Sequence, residues 1–124
     1  MERQSARKIV LVVDDAPDYL VGFSILLEQN GLDAVTAESG SEALKILKHV
    51  TPDIIVTDLM MPGMDGVELC NRIKADPRLS DIPVLLVSAV AHHQPPSGCF
   101  DAFLEKRGFY ELFDDVESWM SRRH

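Results

Sequence analysis

Three carboxylates carry the chemistry that this sequence offers. The apolar run Ile9-Val10-Leu11-Val12-Val13 leads straight into Asp14 and Asp15, and Ile54-Ile55-Val56-Thr57 leads straight into Asp58. Continuous runs of this kind are strands covered on both faces. In an open α/β sheet, ligands bind in the crevice at the carboxyl ends of the strands. Acids gathered there repel one another unless something positive joins them. A hard divalent cation, Mg2+ above all, meets that need, because it takes oxygen ligands and keeps room for water and a phosphate. Asp14, Asp15 and Asp58 therefore predict phosphate chemistry on an aspartate.

The elements that must position these acids alternate along the chain. Residues 9–13 form the first strand. Leu20, Phe23, Leu26 and Leu27 recur at helical spacing within residues 18–30, and Gly31 stands where such a helix stops. A short second strand over 33–37 follows, then a helix opened by Ser39-Gly40-Ser41-Glu42 and a third strand over 53–57. The breakers of Met60-Met61-Pro62-Gly63-Met64-Asp65-Gly66 make a loop. Val67, Leu69, Cys70 and Ile73 give a third helix, 83–88 and 101–105 two more strands, and 109–122 an amphipathic last helix with Leu112, Phe113, Val116 and Trp119 or Met120 on its stripe. Strands alternating with helices imply βαβ units and a parallel sheet. One segment breaks the pattern. Pro95-Pro96 and Gly98, between the fourth and fifth strands, leave little room for a crossover helix, so an irregular loop is expected there.

At 124 residues the chain is one domain, 1–124, with a flexible start over 1–7. Its net charge of −8 disfavours direct contact with nucleic acid and with anionic membranes. The first apolar run, five residues long, is too short for a signal peptide or a membrane span, which predicts a cytoplasmic protein. Cys70 and Cys99 form no metal-spaced pair, and each reads as a small apolar residue.

Taken together, Val12-Val13-Asp14-Asp15, the stretch from Val56 through Asp58 to Gly66, Leu86-Val87-Ser88-Ala89 and Phe103-Leu104-Glu105-Lys106 resemble the receiver domain of two-component response regulators. The likeness runs over nearly the whole chain. It implies a doubly wound α/β fold of five parallel strands in the flavodoxin-like order 2-1-3-4-5. It also implies phosphoryl transfer from a histidine kinase or phosphotransfer protein onto Asp58. Asp14 and Asp15, with Asp58 and the backbone carbonyl of Met60, would hold Mg2+, and Lys106 would neutralise the phosphoryl group. Ser88 would hydrogen-bond that group, and the ring of Phe103 would turn inward as a switch.

Plainer roles stand beside these: a strand-end acid for Asp58, a solvated Lys106, a strand-end hydroxyl for Ser88, a core ring for Phe103. His92 and His93, adjacent and beside prolines, receive no role. The family usually has a cis proline after its lysine; Arg107 stands there instead, so a trans path is expected. Proline and shortening together remove most of the family's fourth helix, so output should not use the common dimer of that helix. Apolar side chains laid open there would favour association, a homodimer included. A stand-alone receiver acting on a downstream protein target or in a phosphorelay is the expected function. The alternative from another class is a receiver-like binding module that works without phosphorylation. An aspartate-nucleophile phosphatase would want an acid two residues past its nucleophile, where Ala16 and Met60 stand.

Overall fold

The computed structural model describes residues 7–89 and 99–122. Five strands, β1 (Ile9–Val13), β2 (Asp33–Ala37), β3 (Ile54–Asp58), β4 (Val84–Ser88) and β5 (Ala102–Glu105), form one parallel sheet in the order β2-β1-β3-β4-β5. The four helices among the described residues are α1 (Pro17–Gln29), α2 (Gly40–Leu47), α3 (Gly66–Ala75) and α4 (Phe109–Ser121). This is the doubly wound architecture that the alternation of strands and helices predicts.

The strand period of two divides the core. Val10, Val12, Ile54, Val56, Leu85 and Val87 face α1 and α4, meeting Leu20, Phe23, Leu27, Leu112, Phe113 and Val116. Leu11, Val13, Ile55 and Val84 face the other way, toward Ala43 and Leu47 of α2 and Leu69, Cys70 and Ile73 of α3. Both sheet faces are thus buried, which explains why the central strands are apolar in unbroken runs, residues 10–13, 54–56 and 84–87, rather than at alternate positions.

Local chemistry sets the element ends. Pro17 opens α1 at its first position, where the missing N–H costs nothing. Gly31 at φ +85 ends it, with Leu32 N–H returning to the Leu27 carbonyl at 3.1 Å. Ser39 caps α2 through its side chain, which accepts from the Glu42 N–H, and Asp65 caps α3 by accepting from the Glu68 N–H. The third strand runs one residue further than expected, so that Asp58 is its last residue rather than the one after it.

Of the predicted flexible start, residues 1–6 lie outside the described residues. Arg7 pairs with Asp33 at 2.8 Å and Glu28 at 3.2 Å. The loop expected between β4 and β5, with His92, His93 and the double proline, falls on residues 90–98 and also lies outside them. No helix among the described residues is long and apolar enough to cross a membrane.

Candidate functional site

Sheet order brings the acids together. β1 and β3 are neighbours with Val13 opposite Thr57, so Asp14 and Asp58, the next residue on each chain path, emerge side by side. One ligand oxygen from each of Asp14, Asp15 and Asp58 lies within 4.8 Å of the others. Asp14 is buried, Asp58 partly buried and Asp15 exposed, so the cluster opens to solvent on the Asp15 side. Three oxygens so close, with one side open, fit a hard divalent cation that keeps some of its water.

Asp14 already has partners for both oxygens. Its Oδ1 accepts from the Ala16 N–H at 2.9 Å, and its Oδ2 accepts from Lys106 Nζ at 2.6 Å. The same ammonium is 3.7 Å from Asp58 Oδ2. Lys106 follows β5, three positions across the sheet from β1, and its reach over that span is what the sequence could not settle. Its backbone N–H donates to the Ser88 carbonyl at 2.7 Å, extending the β4–β5 ladder by one bond beyond the Ser88–Glu105 pair. No peptide bond among the described residues is cis, so the path through Arg107 is trans as expected.

The electrostatics of Asp58 follow from these contacts. Burial raises its pKa above the ordinary carboxylate value; Lys106 pulls it down, Asp14 and Asp15 push it up, and the Leu59 N–H lowers it. The net direction is up. An ammonium in a low-dielectric pocket does not fully offset two neighbouring carboxylates and the loss of water.

Ser88 is buried at the end of β4, one residue past Val87, which lies opposite Asp58. Phe103 stands on β5 opposite Leu86, partly buried, with its ring 6.2 Å from that of Phe100. Met60, two residues past Asp58, is exposed.

Two parts of the site escape a reading of the sequence. Tyr19, on the first turn of α1, lies under Lys106, with the ammonium 4.3 Å from the ring centroid. Phe23 and Phe109 brace the ring at 6.3 and 5.2 Å. Its hydroxyl is buried and has no hydrogen-bond partner among the described residues. Burial, then the charges of Asp14 and Asp58, push its pKa well above that of a free phenol, so the group stays neutral. In sequence Tyr19 passes for one more apolar position of α1. Its only signal is an aromatic ring one turn after the acidic pair.

The second is Gly66. A Cβ there would stand 2.5 Å from the Asp58 carbonyl oxygen and 3.0 Å from Leu59 Cα. α3 therefore begins against the backbone of the acid itself, and only a residue without a side chain allows that approach.

The chain is similar to known proteins in sequence and in shape. The sequence model of the response regulator receiver domain matches residues 10–105. The heme response regulator HssR of Staphylococcus aureus is 47% identical over 79 residues, covering 64% of this chain and 34% of its own length. The DNA-binding response regulator MtrA of Mycolicibacterium smegmatis is 36% identical over 83 residues, 67% of this chain and 35% of its own. This chain thus spans about a third of the length of these curated relatives. Among solved structures, the signal receiver domain of a signal transduction histidine kinase from Syntrophus aciditrophicus superposes with a TM-score of 0.82 at 30% identity, over 94% of this chain and 92% of that one. Response regulator protein TrrA from Thermotoga maritima, solved in complex with Mg(2+)-BeF, gives 0.80 at 32% identity, over 90% and 97%.

Proposed function

Because the chain belongs to the response regulator receiver domain family of two-component signalling, we propose that Asp58 is its phosphoacceptor and that the donor is a phosphohistidine of a sensor kinase or phosphotransfer protein. A carboxylate oxygen of Asp58 attacks phosphorus, the bond from phosphorus to the donor nitrogen breaks, and an acyl phosphate forms on the aspartate. Such a transfer needs little covalent help, so the surroundings act by alignment and by neutralising charge.

The observation that carries this reading is the position of Lys106 Nζ, 2.6 Å from Asp14 and 3.7 Å from Asp58, at the edge of a three-carboxylate cluster. A strand-end acid or a solvated lysine has no need of that arrangement. When the phosphoryl oxygens arrive, the ammonium can move from Asp14 toward them without leaving the site. Ser88, buried at the end of the adjacent strand, is the hydroxyl we assign to a phosphoryl oxygen, and Phe103 the ring whose position responds. Asp14, Asp15, Asp58 and the Met60 carbonyl are the assigned Mg2+ ligands. Bound there, the cation supplies positive charge against the phosphoryl oxygens and the acids.

We further propose that the chain works in the cytoplasm as a unit whose output is contact with a downstream protein or onward passage of the phosphate. The net charge of −8 supports protein contact over direct contact with nucleic acid. The DNA binding printed in the name of MtrA belongs to a protein of which this chain spans 35%.

The test is intact mass after incubation with Mg2+ and acetyl phosphate. The wild type should gain one phosphoryl unit and Asp58→Asn none. If neither gains with acetyl phosphate or with any kinase, the chain is a receiver-shaped binding module.

A further inference from the structure

The chain has two cysteines, 70 and 99, and the fold brings them together. Cys70 is fully buried on α3; Cys99, just before β5, is partly buried. Both belong to one packed region on the α3 side of the sheet. Cys99 Sγ also faces the Val67 carbonyl at 4.0 Å, one helical turn before Cys70. Cys99 and Phe100 pack against the buried cluster that contains Cys70.

This juxtaposition is anchored rather than incidental. Asp101 Oδ2 accepts from the Val84 N–H at 2.8 Å and from Lys74 Nζ at 3.2 Å, and the Asp101 N–H donates to the Val84 carbonyl at 2.8 Å. Lys74 also reaches the carbonyls of Ile82 at 2.6 Å and Ser80 at 3.2 Å. Asp101 is thereby pinned beside Lys74, one turn past Cys70 on α3. Residues 99–101 lie along the same helix, Asp101 at Lys74 and Cys99 at Val67, one turn before Cys70.

We propose that Cys70 and Cys99 are an oxidisable dithiol, a modification site for hydroperoxides in which Cys99 takes the oxidant and Cys70 resolves it into an intramolecular disulfide. The Cys99 thiolate attacks one peroxide oxygen, the O–O bond breaks, and a sulfenic acid and one water form. The Cys70 sulfur then attacks the sulfenic sulfur, the S–O bond breaks, and the second water leaves. Two thiols and one hydrogen peroxide thus give one disulfide and two waters, with two electrons passing from sulfur to the peroxide. The division of labour follows from access and acidity. Cys99 meets solvent, whereas burial and the neighbouring Cys99 push the Cys70 thiol up, so it is a poor first nucleophile. The sulfurs must close to about 2.05 Å, and Cys99 stands outside any helix or strand.

This site stands apart from the phosphoacceptor reading, and its test does not use phosphorylation. The full chain is treated with a few equivalents of hydrogen peroxide, then analysed by non-reducing intact mass, thiol titration and peptide mapping. The wild type should lose two hydrogens, remain unlinked to other chains, and yield a Cys70–Cys99 linked peptide that dithiothreitol releases. Cys99→Ser should leave Cys70 a free thiol at the same dose. Cys70→Ala should stop at a Cys99 sulfenic acid, captured by dimedone. Oxygen added to Cys99 while Cys70 of the wild type stays reduced overturns the proposal, as do disulfides between chains only or two unreacted thiols. Should Cys70→Ala fail to fold, the wild-type peptide map and Cys99→Ser decide alone.

Discussion

Asp58 keeps a carboxylate where its surroundings oppose one, and that opposition is measurable. Burial, Asp14 and Asp15 together outweigh Lys106 and the Leu59 N–H, so its folded pKa lies above the unfolded value. A carboxyl with a raised folded pKa contributes stability below its unfolded pKa and loses it as pH rises through the folded one. In EDTA at neutral pH, Asp58→Asn should therefore be more stable than the wild type by a few degrees in Tm, about 1 kcal/mol for a domain of this size. On acidification through the folded pKa the gap should close. A variant equal to or less stable than the wild type at neutral pH would contradict the charge balance at this residue. Tyr19 carries a second prediction at this scale. Tyr19→Phe keeps the ring under the ammonium and removes a buried, unpartnered hydroxyl, so phosphorylation by acetyl phosphate should hold within about twofold. Tyr19→Leu removes the π face and should slow it roughly 2- to 30-fold, the equivalent of a cation–π contact of about 0.5–2 kcal/mol. Equal rates in the two variants would show that the ring does nothing for Lys106. Asp14, Asp15 and Asp58 were legible in sequence because an acid at the end of an apolar run has few structural reasons to be there. Tyr19 was not, because an aromatic residue on an amphipathic helix has many.

At the scale of elements, every strand and helix among the described residues follows from hydrophobic period and punctuation, with ends that shift by a residue or two. The shift at β3 matters most. The strand includes Asp58, so the acid is held by the ladder opposite Val87 rather than on a loose turn. Ladder pairing is a long-range fact that the run Ile54–Thr57 does not announce. Contacts between α3 and the Asp58 backbone are equally silent in sequence, where Asp65-Gly66 reads only as a breaker before a helix. In the fold Asp65 caps α3 and Gly66 gives its N–H to the Leu59 carbonyl at 2.9 Å. A methyl at Gly66 would meet the Asp58 carbonyl oxygen and Leu59 Cα, and backbone cannot swing aside as a side chain can. Gly66→Ala should thus cost about 1–3 kcal/mol, seen as a lower denaturant midpoint. It should also slow phosphorylation at a temperature where the variant remains folded, because α3 and the Asp58 carbonyl must part. Wild-type stability in this variant would mean that the helix start is less tightly seated than the 2.5 Å approach requires.

For the whole molecule the acids are a standing cost that a bound cation removes. The chain carries a net charge of −8, and three of its carboxylates share one opening. A ligand that binds the folded state alone stabilises it by RT ln(1 + [L]/Kd), about 1.4 kcal/mol at ten times Kd. Mg2+ should therefore raise the Tm of the wild type by a few degrees and saturate at one ion per chain. Screening of the general negative charge also stabilises the fold, but it acts through ionic strength and shows no saturation at one site. Matched NaCl separates the two effects. Asp15→Asn and Asp58→Asn should keep the salt response and lose most of the Mg2+ response. Asp14→Asn is the weaker test, because both of its oxygens serve Ala16 and Lys106 in the fold and its loss disturbs Lys106 as well. Equal Mg2+ shifts in the wild type, Asp15→Asn and Asp58→Asn would mean that the cation acts on the surface at large, and that the acid cluster is not its site.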